Sequence, residues 1–476
     1  MKTKGEQWFE WEREATIHPI LMCMEAWCEP IKKAYGKSWP SAIIIYNGDI
    51  VSWYDPLSEL LEYGDYLIKK FAIPQKMNVL RKEIESQAKE LEEMFYRFEE
   101  LHLEKLTDQK LLETYEELHS NYVKWFIPGG LVEPIGHQGE QLVREIVAEN
   151  EFALVTTTTA ESFSKRELKD LLRIAVAKKQ GKQVNSLLEK HAKKYFWIHN
   201  SYFSTEVLDW KFFETELELA MKKYPKPEQQ MEKLETELIE VTRKKKELLE
   251  KIKLSEFERN LIELLDLFAW YQDYRKEYTM QMLHHLDKIL EEIGKRKGFT
   301  LREMKYTLPD EIPKLIGGKF DREIIEERQI RYLFYFNSKT GKIESGIGQW
   351  SIRKEEEVFH SLKHEDEVLE INGMVASKGF VRGYARVTMI AKDAKEIKPG
   401  EILITSMTTP DFVTSMKRAA AIVTNEGGIL CHAAVVSREF GIPCIVGTKL
   451  ATKIFKTGDL IEVDGELGIV RKCTGT

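Results

Sequence analysis

The sequence predicts a multidomain α plus α/β protein: a large, mainly helical N-terminal domain with small hairpins, followed by a compact C-terminal α/β module. Three observations predict this. Up to about residue 350 the chain holds long stretches rich in Glu, Lys and Leu, with apolar residues three and four apart. From about Val368 glycine becomes frequent and short β-branched runs appear. Between them, residues 351–367 are dominated by charge (Lys354-Glu-Glu-Glu357, Glu365-Asp-Glu367) and read as a linker or hinge, with a short solvated helix as the other reading. The expected division is therefore 1–350, 351–367 and 368–476.

Composition bounds the function classes. The chain has 476 residues, 43% apolar and 31% charged, which is the balance of a soluble globular protein of roughly three domain-sized units. A net charge of −7 gives no reason to expect nucleic acid as a partner. No apolar run reaches the ~18 residues that span a bilayer, so no membrane association is expected. Five scattered cysteines without a Cys-x-x-Cys fit a reduced, cytoplasmic protein rather than a disulfide framework.

In chain order, Ser41–Tyr46 and Asp49–Tyr54 flank Asn47-Gly48, a dipeptide suited to a type I′ hairpin turn. Helical spacing covers Val79–Leu103, Asp108–Lys124, Lys165–Lys179, Gln229–Lys253 and Ser255–Lys295. Pro128–His137 reads as an unusual loop that either closes a site or turns a corner. Arg331–Phe336 and Lys342–Ile347 read as strands about a turn. In the module the strand-like runs are Ala385–Ile390, Ile402–Thr405, Ala421–Thr424, Cys444–Val446, Leu460–Val463 and Gly468–Val470, with helices near Asp411–Arg418 and His432–Phe440.

Chemistry concentrates in Ala421–Gly447, which reads strand, glycine loop, histidine, helix. Gly427 and Gly428 remove two side chains beside His432, so backbone N–H groups can approach a ligand. His432 opens the helix, where unpaired amides and the dipole favour an anion, and Ala433-Ala434 keep the first turn small. Neutral imidazole is a nucleophile, and at an ordinary pKa near 6.5 roughly three quarters of it is neutral at pH 7. His432 is thus the candidate catalytic residue, with Gly427, Gly428 and Arg438 as candidate phosphate-binding residues, although Arg438 lies nearly two helical turns on.

The run Gly427-Gly-Ile-Leu-Cys-His-Ala-Ala-Val-Val-Ser-Arg-Glu-Phe-Gly-Ile-Pro443 resembles the phosphohistidine signature of the PEP-utilising enzymes' mobile domain. That family includes phosphoenolpyruvate synthase, pyruvate phosphate dikinase and rifampicin phosphotransferase. Gly373–Gly379 with Gly383, Thr408-Thr-Pro410, Gly458-Asp459 and Asp464-Gly465 match the rest of the module. The resemblance implies a swivelling β/β/α domain that carries phosphate on His432 between two distant sites. One position departs: the synthases and dikinases usually have threonine where this chain has Leu430, which looks more like the rifampicin-transferase side of the family.

The expected function is that of a phosphotransferase subunit. Gly36-Lys37-Ser38 lacks the P-loop's earlier glycine, Ile31 standing in its place, and no other glycine-rich nucleotide loop occurs. No cofactor or metal is therefore expected on this chain. ATP and Mg²⁺ are expected on an ATP-grasp partner acting in trans, with a small-molecule acceptor in the helical domain. The layout resembles rifampicin phosphotransferase or phenylphosphate synthase without the ATP-grasp domain. The alternatives are a phosphoenolpyruvate synthase or pyruvate dikinase component whose PEP site lies in trans, and a non-catalytic interaction protein that keeps the fold. A homo-oligomer is compatible with either.

Within the helical part, Arg275 and Lys276 faintly match a basic segment of the family's middle domain and are candidate acceptor-binding residues. The alternative is an amphipathic helix with exposed cations. His191 and His199 lie among aromatics, as packing or as the wall of an organic-substrate pocket. His284 and His285, adjacent on a helix, are expected to point about 100° apart and not to chelate together.

Overall fold

The computed structural model describes residues 7–359, 370–394, 396–408, 412–428 and 431–473. The N-terminal part is mainly helical but contains a five-stranded antiparallel sheet. Its strands are β1 (Trp8–Glu14), β2 (Ala42–Asn47), β3 (Ile50–Pro56), β4 (Arg331–Asn337) and β5 (Lys342–Ile347), in spatial order β1-β3-β2-β4-β5. The β2–β3 hairpin forms as the pattern predicts, with one correction. Asn47 pairs with Ile50, so Gly48 and Asp49 make the turn. Only Gly48 has positive φ (61°), the signature of a glycine-first turn rather than type I′.

The spine of this part is a 42-residue helix, Glu256–Lys297, about 63 Å long at 1.5 Å per residue. It starts at a Ser255/Glu258 capping box and ends at Gly298 in the left-handed conformation. Helices Pro74–Glu99, Asp108–Phe126 and Val132–Ile146 pack along it. Large aromatics fill the core, including Trp39, Trp53, Trp125 and Tyr271. Inside it Asp55 Oδ1 accepts from both indoles, Trp39 Nε1 at 2.9 Å and Trp53 Nε1 at 3.0 Å. Pro128–His137 is not an open loop: it is a 3-10 turn, Pro128–Leu131, running into the helix Val132–Ile146.

The stretch expected as a linker begins as structure. Gly348–Phe359 is helical and packs on β4 and β5, with ion pairs Arg331–Glu355 and Lys354–Glu344. The rest of that stretch, 360–367, lies outside the described residues.

The C-terminal unit is an eight-stranded mixed sheet: β6 (Glu370–Asn372), β7 (Met374–Ser377), β8 (Phe380–Val387), β9 (Ile402–Thr405), β10 (Ala421–Thr424), β11 (Cys444–Val446), β12 (Leu460–Asp464) and β13 (Ile469–Lys472). The spatial order is β6-β13-β12-β8-β9-β10-β11-β7. Strands β8 to β11 are parallel neighbours, and the remaining pairs are antiparallel. The central strands are apolar on both faces because both are covered. Leu403 and Ile422 join one core with Ala433 and Ala434, while Ile402, Ile404, Ala421 and Val423 join the opposite core with Phe455. Among the described residues, no helix of either part is long and apolar enough to cross a membrane.

Candidate functional site between the two parts

The site forms where parallel strands end, the usual place for ligands in such sheets. The chain leaves β9 at Thr405 and β10 at Thr424, which are register partners. Beyond them the loops stay bonded: Asn425 N–H donates to Thr405 O at 3.1 Å and Glu426 N–H to Ser406 O at 2.9 Å. Gly427 then takes φ 104°, and a Cβ there would stand 2.7 Å from Cys431 Sγ, so this turn requires glycine. At Gly428 a Cβ would meet nothing within 4 Å, which leaves the loop open on that side.

His432 is the first residue of a nine-residue helix, His432–Phe440, as the glycine-loop reading predicts. Its ring is half-buried, neither sealed in the core nor loose on the surface. Nδ1 lies 2.9 Å from Thr408 Oγ1, just after β9. Ala433 and Ala434 are buried against the sheet and fix the helix beneath the histidine. Arg438 sits in the last turn, about 9 Å along the axis from His432, and its Nε donates to Ala434 O at 2.9 Å. Leu430, Thr409 and Pro410 lie outside the described residues.

The helical part meets this end of the sheet. A cavity of about 620 Å³ is lined on one side by Ser406, Met407 and Phe412, and on the other by Arg13, Arg275 and Lys276. The segment Ser406–Met407 that walls it continues directly into Thr408. Arg13 comes from β1, an edge strand. Its guanidinium lies 4.3 Å from the Trp11 ring centre, and its buried Nε has no hydrogen-bond partner among the described residues. Arg275 is held by its Nη1 donating to Gly129 O at 2.9 Å. A Cβ on Gly129 would stand 2.8 Å from that nitrogen, so the Pro128-Gly-Gly turn is shaped to seat this arginine. Lys276 is exposed into the cavity, yet protein surrounds the cavity. Burial, then Arg275 and Arg13, lower its pKa below the ordinary lysine value.

Two contacts close the seam. The Glu426 carboxyl faces Arg13, accepts from the Glu12 backbone N–H of the edge strand β1, and accepts from Ser406 Oγ at 3.0 Å. Burial nevertheless raises its pKa, outweighing those favourable partners. Lys453 of the C-terminal unit pairs with Glu10 on β1, 4.9 Å from the Tyr54 ring centre. Glu12 also lines the cavity. Burial raises its pKa, against the Ser52 hydroxyl that donates to it at 2.6 Å.

The predicted residues therefore fall into two groups. Arg275 and Lys276 line the cavity, whereas His432, Gly427 and Gly428 are not among its lining residues; His432 is linked to the cavity wall through Thr408, the residue after Ser406–Met407. Arg438 is not among the residues lining the cavity. His199 lines it together with Tyr202 and Met280, while His191 is packed, its Nε2 2.9 Å from Glu167 and its ring against Phe213. The expectation for His284 and His285 is corrected. Both Nε2 atoms turn toward Glu99 Oε1, at 3.4 and 3.8 Å, because that carboxylate reaches in from the end of a neighbouring helix. The sequence reading missed Arg13, Glu12 and Glu426. The alternation Trp8-Phe-Glu-Trp-Glu-Arg-Glu14 was the available signal for β1.

Residues 397–468 match the family model for the PEP-utilising enzyme mobile domain. A probable phosphoenolpyruvate synthase of Archaeoglobus fulgidus is 52% identical over 118 residues, covering 25% of this chain and 16% of that protein. A probable phosphoenolpyruvate synthase of Staphylothermus marinus is 38% identical over 182 residues, covering 36% of this chain and 22% of that protein. The chain thus spans less than a quarter of the length of these curated relatives. Among solved structures, the holo-form of aconitase X from Thermococcus kodakaraensis aligns at 20% identity and TM-score 0.19, covering 22% of this chain and 98% of its own.

Proposed function

We infer, from a C-terminal unit that is a mobile domain of the PEP-utilising type, that this protein is a phosphotransferase component. His432 would carry a phosphoryl group to an acceptor bound in the interdomain cavity. The observation that carries this reading is the cavity itself: three cations of the helical part face the loop whose Thr408 holds the His432 ring.

The chemistry follows from the ring's hydrogen bond. In the tautomer in which Nδ1–H donates to Thr408 Oγ1, Nε2 carries the lone pair and would attack phosphorus. The N–P bond forms as the bond to the donor's leaving oxygen breaks. The helix amides beneath the histidine favour the resulting charge. In the second transfer an acceptor oxygen attacks phosphorus and the N–P bond breaks. Phosphoryl transfer depends mainly on positioning and charge neutralisation, the roles Arg13, Arg275 and Lys276 are placed to fill. Glu12, with its raised pKa, is the cavity carboxylate suited to take the acceptor's proton. The donor would be ATP with Mg²⁺ on an ATP-grasp protein acting in trans.

A second reading rests on the curated relatives. They are named phosphoenolpyruvate synthases, which favours PEP as the phosphoryl source or product at a site in trans. Separate incubations with radiolabelled ATP plus an ATP-grasp partner, and with radiolabelled PEP plus its barrel protein, distinguish the two. Acid-labile label that vanishes in His432→Ala supports a relay in either case. Label retained in that variant, or no label from either donor, contradicts it.

A further inference from the structure

We propose that Glu99, His284 and His285 form a binding site for one divalent transition-metal ion of the zinc class, joining two helices of the N-terminal part. Glu99 is the last residue of helix Pro74–Glu99, and the histidines lie in the long helix about 12 Å along the axis beyond Lys276. The site is thus separate from the cavity and independent of the relay.

The distances suit a metal better than hydrogen bonds. His284 Nε2 and His285 Nε2 lie 3.4 and 3.8 Å from Glu99 Oε1, longer than the ~2.7–3.2 Å of an N–H···O bond. Zinc bonds of about 2.0–2.2 Å in tetrahedral geometry place ligand atoms roughly 3.3–3.5 Å apart. One ligand atom from each of the three residues lies within 4.8 Å of the others, so a small inward adjustment completes the set.

The donor chemistry agrees. Two buried imidazoles and one carboxylate are donor types that zinc-class ions take. Aromatic walls orient the rings: His285 stacks on Phe95 with centroids 5.1 Å apart, and His284 meets Phe196 edge-on at 4.9 Å. Glu99 remains half-exposed, which leaves a coordination position open to water. Its other oxygen, Oε2, is 3.3 Å from Lys288 Nζ. That partly exposed ammonium is the group a metal ion would displace.

The test is titration of the chelator-stripped, full-length protein with Co²⁺, followed by Zn²⁺. The expected result is one Co²⁺ per chain, with visible absorption bands of a low-coordinate nitrogen–oxygen site that Zn²⁺ abolishes. Glu99→Gln, at a half-exposed position that tolerates change, is expected to weaken binding at least about tenfold. Lys288→Ala is expected to tighten it by removing the competing cation, whereas a purely structural ion-pair cluster would only lose stability. His432→Ala should leave it unchanged. No saturable Co²⁺ binding, or equal affinity in wild type and Glu99→Gln, overturns the proposal.

Discussion

The Thr408 hydroxyl lies against the His432 ring at Nδ1. Replacing Thr408 by Val keeps the side-chain volume and removes the group 2.9 Å from Nδ1. Losing one such bond, about 1 kcal/mol, predicts phosphorylation of His432 slowed roughly five- to tenfold with the fold unchanged, read by rapid-quench labelling. Lys276 has the opposite vulnerability. Because its pKa is lowered, its charge is lost as pH rises through a value below the ordinary 10.5. Transfer to the acceptor is therefore predicted to fall on the alkaline side, and Lys276→Met to remove that limb and lower the plateau about tenfold. Asp55 governs stability instead. Burial raises its pKa from 3.8 to about 7 against the two indole bonds. Between those values the folded chain keeps a proton that the unfolded chain has released, so stability falls as pH rises through that window. Asp55→Asn retains an acceptor for both indoles. Its advantage over wild type should grow as pH rises from about 4 to 7 and reach a plateau of up to about 4 kcal/mol by pH 8, measured by urea titration.

Among the elements, β1 is the one the site cannot do without. It supplies Arg13 and Glu12 to the cavity and, as an edge, offers the Glu12 N–H and Glu10 to the C-terminal unit. Lys453→Glu places like charge against Glu10. It is predicted to undock the unit, leaving His432 phosphorylation within about twofold of wild type while slowing transfer to the acceptor at least tenfold. Equal loss of both steps would mean that docking serves phosphorylation instead. The sequence made the module legible because its glycine loop, histidine and small residues are local: strand, turn and helix lie within one short window. The long helices were legible from periodicity, and Ser255–Lys295 lies within two residues of the observed helix at its C-terminal end. The five-stranded sheet was not, because β2 finds β4 nearly three hundred residues away, a pairing no local pattern encodes. β1 escaped notice because its polar alternation suits an edge strand half-exposed along its length. The convergence of His284 and His285 was hidden for a similar reason. Helical phase places their Cα–Cβ bonds apart, but Glu99 approaches from another helix and the ring tips turn to it.

At the scale of the whole molecule, the proposed relay requires the C-terminal unit to leave one site to reach another. Polar seams serve that motion better than apolar ones, because they re-solvate on opening. The Lys453–Glu10 pair and the approach of Glu426 to Arg13 are of that kind, and a cavity of about 620 Å³ rather than a packed core lies between the parts beside Ser406 and Met407. Raising ionic strength should weaken the docked arrangement, since exposed ion pairs are screened over about 8–10 Å at physiological salt. The account rests on the His432 ring receiving phosphate at Nε2 while Thr408 holds Nδ1. Phosphorus–nitrogen correlated NMR of the ¹⁵N-histidine-labelled full chain, after reaction with ATP and its ATP-grasp partner or with PEP and its barrel protein, tests that claim directly. The predicted result is a single phosphohistidine at position 432, bonded through Nε2 and absent in His432→Ala. Phosphate on Nδ1, on another residue, or on none would contradict it.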